Sequence, residues 1–444
     1  MGKRYFGTDG IRGTIGKDPM TAEFALRLAS AAAQVFMPEG GTVLIGKDTR
    51  VSGYMLESAL EAGFVAAGAD VLLLGPLPTP GIAFLSQQFE ADLGVVISAS
   101  HNPYFDNGIK FFDGNGSKLT DEIEGRIEEF LAQSAITSTS DRLGQARRID
   151  SARSRYMEFC ASTFPDELNL EGMKVVFDGA NGAGYKVGPR TLTELGADVI
   201  TIGCSPNGRN INKGCGSTEL SLLQQTVPAV GAEVGIALDG DGDRVVMVDE
   251  TGRVVDGDAL LYILAVSRAE AGVLSGPVVG TVMSNLGLEH ALKDAGIEFR
   301  RAKVGDRYVL EMLRETGGII GGESSGHMIC LDKTTTGDGL ISALQVLAVM
   351  RATGKSLSSL AAAVPRYPQK MINVRTENRM DPAESEAIQN AVKGAEDELG
   401  SEGRVVLRAS GTEPVIRVMV EGSDESQVLE LAERLAAVVA DTAT

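Results

Sequence analysis

Three aspartates at alternate positions, Asp239, Asp241 and Asp243, form the densest chemistry in the chain, inside the run DGDGDR that ends on Arg244. The intervening glycines let the backbone curl so that three carboxylates converge on one cation. Hard oxygen donors select Mg²⁺ or Ca²⁺, and carboxylates this close repel one another without a cation. The plainer alternative is a solvated acidic turn between two strands. An EF-hand is excluded, because Arg244 stands where that loop requires glycine and the flanking runs VGIAL and VVMVD read as strands.

Three further clusters carry reactive groups. SASHNP, Ser98–Pro103, ends an apolar run and puts Ser100 beside His101, with Lys110 following in NGIKFF. Open α/β sheets place reactive groups at such strand ends. The plainer alternative is a serine that caps a helix. A serine hydrolase is disfavoured, since adjacent residues rarely meet as nucleophile and base and no G-x-S-x-G elbow surrounds the serine. GGESSGH, Gly321–His327, offers Glu323, Ser324, Ser325 and His327 at a spacing suited to a polyol. RASGTEP, Arg408–Pro414, with Arg417 beyond it, combines small residues that can form an anion nest with arginines that can grip phosphate; an ordinary hairpin loop is the alternative. Arg12 in FGTDGIRG and Arg50 in GKDTR add cations in similar turns. GANGAGYK is no nucleotide loop, because Tyr185 stands where a P-loop needs lysine.

These clusters need elements to position them. Apolar runs recur before Gly-rich turns in TVLIGKDTR, LGVVISASHNP, MKVVFDGANGAGYK, VGIALDGDGDR and GPVVGTVMSNLG, and each is expected to lead on into an amphipathic helix. Continuous Val/Ile/Leu runs suit strands buried on both faces. Ala22–Phe36 is expected to be helical behind a Thr21 cap, with Phe24, Leu28, Ala32 and Val35 on one stripe. The alternation means α/β. Segments 135–150 and 366–382 lack periodicity and read as boundaries. Beyond them RVVLRASGTEPVIRVMVEG reads as an antiparallel strand pair, followed by a helix with Val428, Leu431, Ala432 and Leu435 on one face.

Composition sets outer limits. The 444 residues carry a net charge of −19, which excludes a nucleic-acid binder and an electrostatic membrane binder. No apolar window of about 18 residues suggests a membrane span, and the N-terminal MGKRYFGTDG shows no secretory pattern. The four cysteines, Cys160, Cys204, Cys215 and Cys330, form no CxxC pair and suit reduced thiols in the cytoplasm.

FGTDGIRG, SASHNP, DGDGDR and RASGTEP, taken in this order, resemble the α-D-phosphohexomutase superfamily over essentially the whole chain. The nearest likeness is to its bacterial hexosamine-phosphate branch. The resemblance implies an α/β fold of three related α/β domains with mixed sheets plus a C-terminal α+β domain around a central cleft. It places the domains at 1–150, 151–255, 256–368 and 369–444. Ser100 would be a phosphoserine that donates and recovers a phosphoryl group. Asp239, Asp241 and Asp243 would hold one Mg²⁺ per chain, which also touches Ser100. Glu323 and Ser325 would bind sugar hydroxyls with His327 beside them. Arg408, Ser410, Gly411, Thr412 and Arg417 would bind the phosphate not in transfer. Lys110 and Arg244 would support the transfer, and His101, Lys110 and the phosphate itself stand as bases for the sugar hydroxyl. The implied reaction interconverts a hexosamine 6-phosphate and 1-phosphate through a 1,6-bisphosphate, which is also the activator. Glucose or mannose phosphates are the alternative substrates, and a non-catalytic Mg²⁺-dependent sugar-phosphate binder is the alternative outside catalysis. A homodimer is compatible with the resemblance.

Overall fold

A computed structural model describes residues 4–7, 9–376, 381–409 and 415–442. Four sheets organise them. The first runs Ile11–Thr14, Asp106–Asp113, Leu93–Ile97, Gly41–Lys47, Ala69–Pro76, Ala146–Arg148 from edge to edge. The last four strands of that order pair in parallel, whereas Asp106–Asp113 is antiparallel to both its neighbours. The second sheet runs Val254–Val255, Val245–Asp249, Val234–Leu238, Lys174–Asp178, Asp198–Ile202, again with one strand, Val245–Asp249, antiparallel to its neighbours. In the third, Phe299–Ala302, Val278–Thr281 and Ile320–Gly322 are parallel and Met328–Cys330 closes the edge antiparallel. Gln369–Arg375, Val415–Gly422 and Gly403–Ala409 make a purely antiparallel fourth sheet.

The local chemistry follows the sequence in most places. Leu93–Ile97, Val234–Leu238 and Val245–Asp249 are buried along their whole length, as strands covered on both faces must be. Thr21 caps the helix Ala22–Phe36 by accepting a hydrogen bond from the Phe24 amide, and Phe24, Leu28 and Ala32 are buried. Helix Glu425–Thr442 buries Val428, Leu431, Ala432 and Leu435 against the fourth sheet.

The expected strand–turn–helix unit fails at two of the five places. After SASHNP and after DGDGDR the chain returns as an antiparallel strand. Central strands are apolar whichever way their partner runs, so composition does not show direction. Ser100 therefore caps no helix. All four chemistry-bearing segments join adjacent antiparallel strands: 98–105, 239–244, 323–327 and, outside the described residues, 410–414.

One apolar cluster runs from Leu44 and Phe112 through Phe177 and Val245 to Leu347, so the first three sheets share a core. The fourth keeps its own cluster, including Ile388, Val418 and Leu431. It seats on the third unit through polar groups. Arg404 donates to the carbonyls of Val282 and Ser284, and Glu421 accepts from Arg404 and from the Leu286 amide. The Asn285 side chain holds Tyr367 by both its N–H and its C=O, which fixes the connection between the two units.

Asp258, in helix Gly257–Glu270, lies beneath this seat and accepts from the Asn285 amide at 2.8 Å. Burial, and then the charge of Asp256, push its carboxyl up to about 7 despite the opposing Asn285 amide, Ser284 hydroxyl and Arg301. The unfolded chain, with an ordinary carboxyl near about 3.9, loses this proton first as pH rises. Stability from this group therefore falls between about pH 4 and pH 7. Asp258→Asn is expected to flatten that part of the pH profile. Urea denaturation followed by circular dichroism checks it, as the chain contains no tryptophan; an unchanged slope would contradict the assignment.

Candidate active site

Ser100 sits at the turn between Leu93–Ile97 and Asp106–Asp113 with φ +51°, in the left-handed region. For a residue other than glycine this costs about 1–3 kcal/mol and is kept only where surroundings enforce it. The conformation aims Oγ across to the second unit, where it donates to Asp239 Oδ2 at 2.5 Å. Gly240 explains the close approach, since a Cβ there would stand 2.5 Å from the Ser100 carbonyl oxygen. His101 Nδ1 is 3.4 Å from Oγ, so the serine is engaged by the carboxylate rather than as a hydrolase pair.

Asp239, Asp241 and Asp243 are all buried, and one oxygen from each falls within 4.8 Å of the others. Asp241 Oδ2 accepts from Thr79 Oγ1 at 2.7 Å and from Lys110 Nζ at 2.9 Å. Oδ1 of Asp241 and Oδ1 of Asp243 accept no hydrogen bond among the described residues. Buried carboxylate oxygens left without donors are what a hard cation requires, so the donor set fits Mg²⁺. Electrostatics agree. Burial, then the charges of Asp243 and Asp241, hold the Asp239 carboxyl well above its usual range. Burial acts the same way on Asp243, but Lys110, His327 and Arg244 outweigh it and hold that carboxyl down.

The cations lie around this cluster. Lys110 is almost fully buried, 2.9 Å from Asp9 and Asp241 and 3.6 Å from Asp243. Burial works against its charge, yet Asp241, Asp9 and Asp243 hold it firmly protonated. Arg12 pairs with Asp9 and also feels Asp241 and Asp243. Arg244 is drawn to Asp243, Asp239 and Glu323. His101 is held below its usual range by burial, then by Arg244 and Arg12, which leaves the imidazole neutral.

The third unit brings its hairpin to the same place. Gly326 lies against the second unit at φ +91°, and its carbonyl accepts from the Val245 amide at 3.0 Å. Any Cβ there would stand 2.0 Å from the Val245 oxygen. His327 is buried between Asp306, at 3.4 Å, and Asp243, at 3.8 Å. Glu323 is half-buried and accepts from the Gly305 amide at 3.0 Å, while Ser325 is exposed. From the fourth sheet, Arg408 and Arg417 stand directly opposite each other across the strand pair. Burial and then Arg417 lower the Arg408 pKa, against the pull of Glu323. Two like charges facing each other at this spacing are unfavourable and favour an anion between them. Ser410, Gly411 and Thr412 lie outside the described residues.

One reading changes. Arg50 is fully buried and bonded to Asp48, Ser100, Asn102 and Asp106, so it faces no cleft. Asp9, Lys118 and Asp306 escaped the sequence reading. Lys118 bridges Asp9, at 2.6 Å, to Asp306 beside His327 and so ties the first unit to the third. The one local signal was Asp9, inside FGTDGIRG; Lys118 and Asp306 carry none.

The arrangement matches a known class. The chain belongs to the phosphoglucomutase/phosphomannomutase family: its α/β/α domains I, II and III match residues 3–136, 154–252 and 256–367, and its C-terminal domain matches 371–438. Within that class, phosphoglucosamine mutases are similar over nearly the full length. That of Pseudoalteromonas translucida is 57% identical, covering 98% of each chain. That of Nitrosococcus oceani is 58% identical over 99% of this chain and 98% of its own. Among solved structures, a phosphoglucomutase/phosphomannomutase family protein from Burkholderia thailandensis superposes with TM-score 0.81 at 24% identity, covering 98% of this chain and 97% of its own. Aspergillus fumigatus N-acetylphosphoglucosamine mutase, solved with GlcNAc-6P and magnesium, shares the fold at TM-score 0.71 and 18% identity, covering 99% of this chain and 96% of its own. No helix among the described residues is long and apolar enough to cross a membrane.

Mg²⁺ titration by calorimetry checks the metal assignment. One site per chain is expected, and Asp241→Asn should weaken it by at least about tenfold. Equal affinity in the variant would remove Asp241 from the ligand set.

Proposed function

We propose that the chain is a phosphotransferring isomerase that interconverts glucosamine 6-phosphate and glucosamine 1-phosphate through phosphorylated Ser100. The observation that carries this is the contact of Ser100 Oγ with the buried aspartate cluster at 2.5 Å. The full-length likeness to phosphoglucosamine mutases supports the amino sugar as substrate.

Asp239, Asp241 and Asp243, with Ser100, would hold Mg²⁺, which when bound supplies positive charge against the phosphoryl oxygens. The rest of the work falls to the side chains. Phosphoryl transfer is mostly positioning and charge neutralisation. Lys110, Arg12 and Arg244 would supply fixed positive charge around the aspartate cluster. Because Lys110 is held protonated it serves as a cation and not as a base. The neutral His101 is the side chain beside Ser100 that can take the sugar hydroxyl proton.

In the first half-reaction the O–P bond at Ser100 breaks, the phosphoryl group joins the C1 oxygen of glucosamine 6-phosphate, and the C1 hydroxyl proton passes by way of His101 to the freed Ser100 oxygen. This gives a 1,6-bisphosphate. After the bisphosphate turns end for end, the C6 O–P bond breaks, the 6-phosphoryl group returns to Ser100, the serine proton passes to the C6 oxygen, and the 1-phosphate is released. Glu323 and Ser325 would bind the sugar hydroxyls, with His327 beside them. Arg408 and Arg417, with Ser410, Gly411 and Thr412, would grip whichever phosphate is not in transfer.

Ser100→Ala is expected to lose mutase turnover completely, and intact mass should show one phosphoryl group on the wild-type chain only. Full turnover by the variant would overturn the mechanism. Glucose and mannose phosphates are the rival substrates within the family. Comparing kcat/KM for the three sugars decides between them, with glucosamine phosphate expected to lead. Arg417→Ala should chiefly raise KM, because the group it holds does not react. A fall in kcat alone would place that arginine elsewhere.

A further inference from the structure

We propose that Asn212 and Arg50 are positioning residues for phosphoryl transfer, which clamp the backbone around Ser100 from two different units. The proposal rests on the reading of Ser100 as the phosphoryl carrier.

The left-handed backbone of Ser100 needs restraint, and the structure supplies it on every side. Arg50 Nη2 donates to the carbonyl oxygens of Ser100 and Asn102, and its Nε donates to the Asp106 carbonyl at 2.9 Å. Asn212, reaching in from the second unit, donates Nδ2 to the same two carbonyls at 2.9 and 3.0 Å. A carbonyl oxygen offers two lone pairs, so the Ser100 oxygen is fully used by one donor from each unit. On the other side the Ser100 amide donates to Ser98 Oγ at 3.0 Å, and that hydroxyl donates to Asp48 Oδ2 at 2.6 Å. Asp48 also receives Arg50 Nη1 at 2.8 Å, which closes the circuit. With the backbone tied at both ends, the Ser100 Oγ is held toward Asp239.

Asn212 is itself anchored. It too has a positive φ, +57°, and its amide donates to the Ala180 carbonyl at 2.8 Å. The loop that carries it rests on the turn after Gly41–Lys47, where the Val51 amide donates to the Gly208 carbonyl at 2.9 Å. The direction of Ser100 Oγ therefore depends on how the second unit docks on the first. A carrier serine must present its oxygen at one point in both half-reactions, to opposite ends of the sugar. A clamp on its backbone serves both equally and binds no part of the substrate, so its loss should appear in kcat and not in KM.

Two variants test this. Asn212→Gly removes the amide donor while keeping the positive φ accessible. Asn212→Asp keeps the shape but turns a donor into a charged acceptor. With glucosamine 6-phosphate and Mg²⁺, both should show a kcat lower by about tenfold to a hundredfold with KM and melting temperature near wild type. The single-turnover loss of the phosphoryl group from Ser100 should slow by the same factor. The clamp is wrong if both variants keep kcat within about twofold of wild type, if KM rises while kcat holds, or if lost activity in both tracks lost secondary structure. A wild-type chain without mutase turnover, or a Ser100→Ala variant that retains it, would instead defeat the functional reading.

Discussion

Three carboxylates cannot share a buried space without opposing charge, and this constraint shapes the rest of the molecule. Asp239, Asp241 and Asp243 are buried within 4.8 Å of one another. Lys110 comes from the first unit to meet two of them, Arg244 follows them in the chain, and His327 comes from the third. Lys110 also meets Asp9, whose other oxygen meets Lys118, which in turn holds Asp306. Lys110 with Asp241 and Asp243, Lys118 with Asp306 and His327 with Asp243 all pair across units, so the docking of three units and the electrostatics of the cleft are a single problem. The global charge of −19 says little about this place. Local cations govern what a phosphate would meet there.

The second constraint is geometric. Each unit contributes the connection between two antiparallel strands, and in the first three it interrupts an otherwise parallel arrangement. An antiparallel turn has both its ends held in hydrogen-bonded strands. Such anchoring matters where groups from different units meet at hydrogen-bond distance, as Ser100 and Asp239 do.

What the sequence revealed was the chemistry that is local in the chain. DGDGDR, SASHNP and GGESSGH each carry their groups within a few residues, so composition and spacing exposed them. The Thr21 cap and the stripe on Glu425–Thr442 were equally local. Strand direction was not readable, because a strand buried on both faces looks alike in either sense. Arg50 misled for a related reason. An arginine in a polar turn looks like an anion contact, and only the fold shows that its donors are spent on backbone carbonyls. Lys118 and Asp306, 188 residues apart, left no trace in spacing. Asn212 meets Ser100 across 112 residues and is equally silent.

The seat between the third and fourth units has a mechanical meaning. The bonds across it include those of Arg404 and Glu421 to backbone groups of 282–286, of Tyr367 Oη to Glu402 and of the Gly422 amide to the Pro368 carbonyl, and the two apolar clusters stay separate. Such bonds exchange for water at a net difference of about 1 kcal/mol each, whereas parting an apolar seam exposes surface at about 25 cal/mol per Å². The fourth unit is thus joined by a wettable surface and by a connection pinned at Tyr367. A wettable joint can open and reseat many times without becoming adhesive to other proteins while it stands open. That would suit a part that, on the proposed mechanism, lets go of one phosphate and takes hold of another in every turnover.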